Sequence, residues 1–304
     1  MHVFLISAFL ALQLLGCDTQ QDDVQTAISG SPVATGDVAA AHAVPADSTL
    51  DDFERVMQKA QEREWHRLEV GKLMQEIGLL FLDAPYAEGL LDEDMEERLV
   101  VNLRAFDCVT YVETVLALAR GILDRSYAYS DFEAYLEDQR YRDGTIDGYC
   151  SRLHYFTDWI ADNDARGNVR DLTRELGGQP MDDLPTFMTS NRAAYMQLAA
   201  SDSLYQEMQR IEERIADQSR YFIPQDQIAQ VYDRLEAGDI LAFATDIGGL
   251  DVSHTGLVFK GEDGSTGVLH ASLEDGVKVS PDLQNYVQNN RRQIGIVVAR
   301  PSIR

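Results

Sequence analysis

The pattern that most constrains this chain is a change of hydrophobic period near Gln225. Before it, tracts such as "DDFERVMQKAQEREWHRLEVGKLMQEIGLLFL" and "RAAYMQLAASDSLYQEMQRIEERIAD" repeat apolar residues at three- and four-residue steps, the spacing of one helix face. After it, "GDILAFAT", "SHTGLVFKG", "TGVLHASL", "GVKVS" and "IGIVVARP" are short β-branched runs bounded by Gly, Asp and Pro. Such runs read as antiparallel strands joined by tight turns. No repeat interval recurs, which argues against a solenoid. Helices first and strands last predict an α+β domain, because alternating βαβ units would interleave the two patterns.

A chain of 304 residues, 45% hydrophobic, can bury a sizeable core without staples. Its three cysteines lie far apart with no CxxC pair, so neither a disulfide framework nor a structural zinc site is expected. The formal net charge of -25 would repel a phosphate backbone, and no nucleic-acid partner is expected. Only Lys59, Lys72, Lys260 and Lys278 are lysine, and an acidic, lysine-poor surface fits either a saline habitat or ordinary solubility.

The opening "MHVFLISAFLALQLLGCDTQ" is apolar from Val3 to Leu15, shorter than a membrane span of ~20 residues and suited to a signal-peptide core. "LLGC" resembles a bacterial lipobox, which makes Cys17 the lipidated residue; the missing Lys or Arg before the run and the bulk of Leu15 depart from that pattern. Residues 18–48 are polar and small, too poor in large apolar groups to offset the entropy of ordering, and read as a disordered tether. The expected organisation is a signal peptide over 1–17, a tether over 18–48 and one folded domain over 49–304. The expected product is an exported periplasmic or cell-envelope lipoprotein, monomeric, touching a membrane only through its lipid.

In "RAFDCVTYVETVLALARG", Asp107 is a good N-cap and places Cys108 in the first turn of an apolar helix. Free N–H groups and the helix dipole there favour a thiolate and could hold an oxyanion. A lone cysteine is more often a small buried apolar residue. Two of the six histidines lie in strand-like runs, His254 in "SHTGLVF" and His270 in "VLHAS". A cysteine nucleophile needs a base and a group to orient that base, and these two could serve, although each alone also reads as a structural histidine.

"GYCSRLHYFTDWI" offers Arg152 for a carboxylate and His154 beside aromatics that could stack on a sugar; the alternative is a loop entering a helix with Tyr155, Phe156, Trp159 and Ile160 in the core. Cys150 reads as structural. Gly248 and Gly249 in "ATDIGGLDVSHTG" form either a hairpin turn or a cleft-rim loop, and no Walker lysine follows them. The acidic runs read as solvated helix faces, with no carboxylate pair standing out for glycosidase chemistry.

"FDCVTYVE", "GDILAF", "SHTGLVFKG" and "VLHAS", in that order, resemble the papain-like cysteine hydrolases of the NlpC type. More narrowly, "VVNLRAFDCVTYVETVLALA", "YRDG", "SRLHYFTDWI", "FIPQDQI", "GDILAFAT" and "GLDVSHTGLV" resemble the N-acetylmuramoyl-L-alanine amidase-like family over about residues 50–301. The resemblance implies an α+β, papain-like fold with the nucleophile at a helix N-terminus packed on a C-terminal antiparallel sheet. It implies Cys108 as nucleophile, His254 as general base and acid and His270 as orienting residue, with Asp107, Arg152, His154 and Ser253 contacting substrate. Val109 and Thr110 replace the Ser-Gly pair usual after the NlpC-type cysteine, which puts that superfamily's usual substrate contacts in doubt and agrees with the narrower family. The implied reaction is hydrolysis of the amide between N-acetylmuramic acid and L-alanine in muropeptide fragments, without metal or other cofactor. A γ-D-glutamyl-diamino-acid endopeptidase, a non-catalytic glycan-binding lipoprotein and a zinc hydrolase remain alternatives.

Overall fold

The structure, a computed structural model, describes residues 46–302. The expected leader, Cys17 and nearly all of the tether lie outside the described residues. The first helix, α1 (Ala46–Glu62), begins inside the last three residues assigned to the tether.

The helical half is α2 (Val70–Leu79), α3 (Cys108–Leu123), α4 (Tyr129–Arg140) and α5 (Phe156–Arg166), followed by short strands β1 (Val169–Asp171) and β2 (Gln179–Pro180). Helices α6 (Phe187–Ser190), α7 (Met196–Ala200) and α8 (Asp202–Ala216) lead into β3 (Tyr221–Pro224). The remainder is β4 (Ile240–Thr245), β5 (Val252–Lys260), β6 (Thr266–Ser272), β7 (Gly276–Ser280), α9 (Leu283–Asn289) and β8 (Gln293–Pro301).

Both long helical tracts of the sequence are interrupted. The first breaks where Glu64 turns left-handed (φ 51), so α1 and α2 are separate helices. The second breaks at Ser201, whose side chain accepts the Leu204 N–H at 3.3 Å and starts α8 anew. A hydroxyl that can satisfy a first-turn donor competes with continuation of the helix before it.

The strands form one antiparallel sheet in the order β2-β3-β8-β4-β5-β6-β7, with β1 also paired to β8. Both faces are covered. On one, Ile240, Ala242, Leu257, Leu269 and Ala271 join the helical core built by Phe53, Ile77, Val112, Leu116 and Trp159. On the other, Leu241, Phe243, Val258 and Val268 pack with Ile228, Val231, Leu283 and Val287. Alternate residues along β4, β5 and β6 thus serve opposite faces, as the two-residue strand period requires.

Helix α3 is the central element of the helical layer. All of its sixteen residues except Val109, Arg120 and Leu123 are buried. Removing one side chain such as Leu116 from water contributes about 1.5–3 kcal/mol, so burial and not intrinsic propensity holds this helix. Glycine lets the sheet close beside it: a Cβ on Gly256 would lie 2.8 Å from Val268 Cγ2 and 3.0 Å from the His270 Cβ.

Candidate active site

The start of α3 is locked by a capping box. Asp107 Oδ1 accepts the Thr110 N–H at 2.7 Å, and Thr110 Oγ1 accepts the Asp107 N–H at 3.0 Å. This fixes Cys108 as the first helical residue. Thr255 of β5 donates its hydroxyl to the Cys108 carbonyl at 2.6 Å, which ties the helix start to the sheet.

His254 and His270 meet directly. His254 Nε2 lies 2.9 Å from His270 Nδ1, with the rings edge to face at 5.0 Å and 89°. Phe243 stacks on His254 at 5.5 Å, and Tyr286 of α9 packs 4.8 Å from His270. The second nitrogen of His270, Nε2, lies 3.1 Å from Ser280 Oγ. Both imidazoles are buried, and each has one face covered by an aromatic ring.

Two cavities meet at His254 and Ser253. An open cleft of about 930 Å³ is lined by Tyr86, Ser253, His254, His270 and Tyr286. A small chamber of about 70 Å³ is lined by Cys108, Ser253, His254, Arg152, His154 and Met188. Cys108 and His254 therefore share a wall, although they come from opposite ends of the sequence.

Burial opposes the pull of the helix dipole toward a thiolate. Burial, with the Asp107 carboxylate next door, pushes the Cys108 thiol up to about 12, and hydrogen bonds from Thr255 and from its own N–H offset this only in part. Burial also pushes His254 down to about 4, and His270 is lowered by burial, by His254 and by Lys278. Burial thus disfavours charge on the thiol and on both imidazoles. The N–H groups expected to hold an oxyanion are partly used as well: those of Val109 and Thr110 go to the Asp107 carboxylate.

Tyr86 was not foreseen from sequence. Segment 85–87 pairs in parallel with Phe106, through Phe106 N–H to Pro85 O at 3.1 Å and Ala87 N–H to Phe106 O at 3.0 Å. This brings the Tyr86 oxygen to the Cys108 N–H, and burial together with Cys108 and Asp107 raises the phenol well above its ordinary value. "DAPYAEG" carries no periodic signal, so only the long-range pairing reveals the residue. Tyr286 is similar: its phenol is raised by burial and by Cys108.

Of the expected substrate contacts, Ser253 lines both cavities. Asp107 is occupied as the cap. Arg152 is only 3% exposed and already neutralised: it donates to the Leu91 carbonyl at 2.8 Å, pairs with Asp92, and has Glu97 at 3.6 Å. Two acidic groups of the chain itself hold the guanidinium. His154 bonds the Tyr149 carbonyl at 2.9 Å and is pushed down to about 3 by burial and by Arg152. Cys150 is a free thiol directed at the Leu204 carbonyl. The Gly-rich loop is a turn, with Gly249 at φ 81 and its carbonyl accepting from Thr186 and Phe187.

Among the described residues, no group of three or more His, Cys, Asp or Glu side chains is arranged to hold a metal ion. His254 and His270 turn ring nitrogens toward each other, which is unlike two ligands aimed at one cation.

Residues 76–296 match the AmiA-like family, described as N-acetylmuramoyl-L-alanine amidase-like. An N-acetylmuramoyl-L-alanine amidase from Bacteroides uniformis is 34% identical, with a TM-score of 0.72 over 77% of this chain and 99% of that one. A second crystal structure under the same name and organism gives 35% identity and a TM-score of 0.72, covering 76% and 98%. A Legionella pneumophila protein at 17% identity shares the fold, with a TM-score of 0.61 over 85% of this chain and 97% of its own. No curated protein matches the chain. The chain belongs to the N-acetylmuramoyl-L-alanine amidase-like family, and that family is one of hydrolases acting on amide bonds.

Proposed function

We propose that the protein is a cysteine-dependent N-acetylmuramoyl-L-alanine amidase of the papain-like, NlpC type, acting on muropeptide fragments. The observation that carries this reading is the 2.9 Å bond between His254 Nε2 and His270 Nδ1, with Cys108 lining the same chamber as His254. A histidine held through Nε2 by a second histidine keeps Nδ1 for proton transfer, which is the arrangement a thiol nucleophile requires.

In this mechanism His254 Nδ1 takes the Cys108 proton as the sulfur attacks the lactyl carbonyl of the muramic acid. Because burial disfavours a charged thiol and a charged imidazole alike, attack and proton transfer are coupled. The developing oxyanion is held by the Tyr86 hydroxyl, whose oxygen accepts the Cys108 N–H. Collapse breaks the C–N bond, and His254 returns the proton to the departing L-alanine nitrogen. Water then attacks the thioester with His254 as base, freeing the carboxylate and restoring the thiol.

The open cleft accommodates the bulky part of the fragment, and the Ser253 hydroxyl, at the junction of the two cavities, contacts substrate beside the scissile amide. Arg152 and His154 shape the small chamber, with Arg152 braced by Asp92 and Glu97 instead of supplying a free charge. We assign the leader over 1–17 and lipidation at Cys17 to export, which would make the protein a monomeric lipoprotein of the periplasm or cell envelope.

The test is mass spectrometry of a defined muropeptide digested by the purified domain. The reading expects free stem peptide beginning with L-alanine from wild type and none from Cys108→Ala. Cleavage between D-glutamate and the diamino acid would assign the endopeptidase reaction, and turnover unchanged in Cys108→Ala would exclude the thiol mechanism.

A further inference from the structure

The hydrogen-bond chain of the site continues past the histidine pair. His270 Nδ1 faces His254 Nε2 at 2.9 Å, and His270 Nε2 faces Ser280 Oγ at 3.1 Å. One proton lies between the two imidazoles, so the neutral pair has two arrangements. In the first, His254 Nε2–H donates to a bare His270 Nδ1, which leaves His254 Nδ1 bare and able to accept a proton. The proton of His270 then sits on Nε2 and needs an acceptor. In the second, His270 Nδ1–H donates, and His254 carries its proton on Nδ1, where it cannot act as a base.

We propose that Ser280 is a positioning residue: its hydroxyl, which can accept as well as donate, accepts the His270 Nε2–H and so supports the arrangement in which His254 Nδ1 is bare. The inference rests on the thiol-hydrolase reading above and adds to it a group that steadies the histidine pair with His254 Nδ1 bare.

Besides the Ala271 backbone, which also hydrogen-bonds His270, Ser280 is a group within hydrogen-bond reach of its Nε2. From β5 His270 faces His254, from α9 the Tyr286 ring at 4.8 Å, and from β7 its register partner Lys278. Lys278 is a cation held by Asp275 and has no acceptor to offer. Ser280 lies two residues along β7 from Lys278, on the same strand face as the two-residue period dictates.

A hydroxyl at this place also differs in kind from a carboxylate. A carboxylate would draw a positive charge onto His270, whereas a neutral acceptor beside Lys278 disfavours it. The charge formed when the thiol is deprotonated therefore stays on His254, the residue that must pass the proton to the leaving nitrogen.

Two variants and one spectrum test the proposal. Ser280→Ala is expected to lower kcat about tenfold, the scale of losing one buried hydrogen-bond acceptor, with KM changed less than about twofold. Ser280→Thr, which keeps the hydroxyl on a strand that tolerates β-branching, is expected to recover most of that loss. Long-range ¹H–¹⁵N spectra of histidine-labelled wild type, assigned with His270→Asn, should show His270 protonated at Nε2 and bare at Nδ1. Full kcat in Ser280→Ala, or a His270 protonated at Nδ1 in wild type, would overturn the role of Ser280 while leaving a Cys108-dependent hydrolase intact. Turnover surviving in Cys108→Ala would instead remove the thiol reading, and the function assigned to Ser280 with it.

Discussion

Two buried polar groups border the small chamber, and they are built on opposite principles. In the brace under α3, Glu113 pairs with Arg140 at 2.7 Å, both side chains 2% exposed, and its other oxygen accepts the Trp159 indole N–H at 3.2 Å. Arg140 also donates to the Val100 carbonyl at 2.7 Å. Opposite charges are matched there, and the cluster ties α3 to α4 and α5. In the site, by contrast, burial disfavours charge on Cys108, His254 and His270, and among the described residues the imidazoles bond each other and Ser280, not a carboxylate. The brace stores fixed charge to hold a shape. The site withholds charge until a proton is moved.

Breaking each group should therefore damage a different property. The largest effect is expected from Cys108→Ala, a loss of kcat on the order of 10⁴-fold or more with the melting temperature little changed. His270→Ala should cost about 10²- to 10³-fold in kcat, since His254 remains but loses its orienting partner. Steady-state kinetics on one muropeptide measures both. Glu113→Leu should instead reduce stability by about 3–5 kcal/mol in urea unfolding, because Arg140 is left as an uncompensated buried charge. Arg140→Met paired with Glu113→Leu should recover much of that loss, and failure to do so would show that the brace works by shape alone.

A smaller effect lies between the two groups. Asp107→Ala removes the helix cap, at about 1–2 kcal/mol of stability, and also removes the negative neighbour that raises the Cys108 thiol. Alkylation of Cys108 by iodoacetamide, followed against pH, should then show a lower thiol pKa in this variant. An unchanged profile would mean that burial alone sets it.

The pH profile sharpens the comparison further. Activity requires neutral His254, which is held at about 4, so kcat/KM should stay flat through neutrality and fall only as pH drops toward 4. Stability follows the same group with a definite sign. Below 6.5 an unfolded histidine takes up a proton that buried His254 refuses until about 4, so its contribution is lost as pH falls through that window. Buried Asp107, Glu113 and Asp251 are raised by desolvation and act in the opposite direction. Comparing the pH dependence of melting in wild type and His254→Gln isolates the histidine, and the variant should lose less stability between pH 6.5 and 4.5.

What could be read from the sequence divides along the same physical line. The α+β organisation and the start of α3 were legible, because hydrophobic period and the Asp107 cap are local. The two histidines could be singled out by their strand-like settings, and the sheet does bring them together through β5 and β6. Tyr86, Tyr286 and Ser280 could not, since their positions depend on a pairing with Phe106, the docking of α9 and the register of β7. Arg152 shows the converse. Its residue type offered a partner for a carboxylate, and only the fold reveals that Asp92 and Glu97 of the chain itself pair with it.

The central claim is that Cys108 carries the acyl group during turnover. Rapid-quench intact-protein mass spectrometry of wild type mixed with a defined muropeptide tests this most directly. The account predicts a transient mass increase equal to the sugar-lactyl acyl group, mapped to the peptide containing Cys108 and absent in Cys108→Ala. Turnover without any adduct on Cys108, and at the same rate in the Cys108→Ala variant, would contradict it.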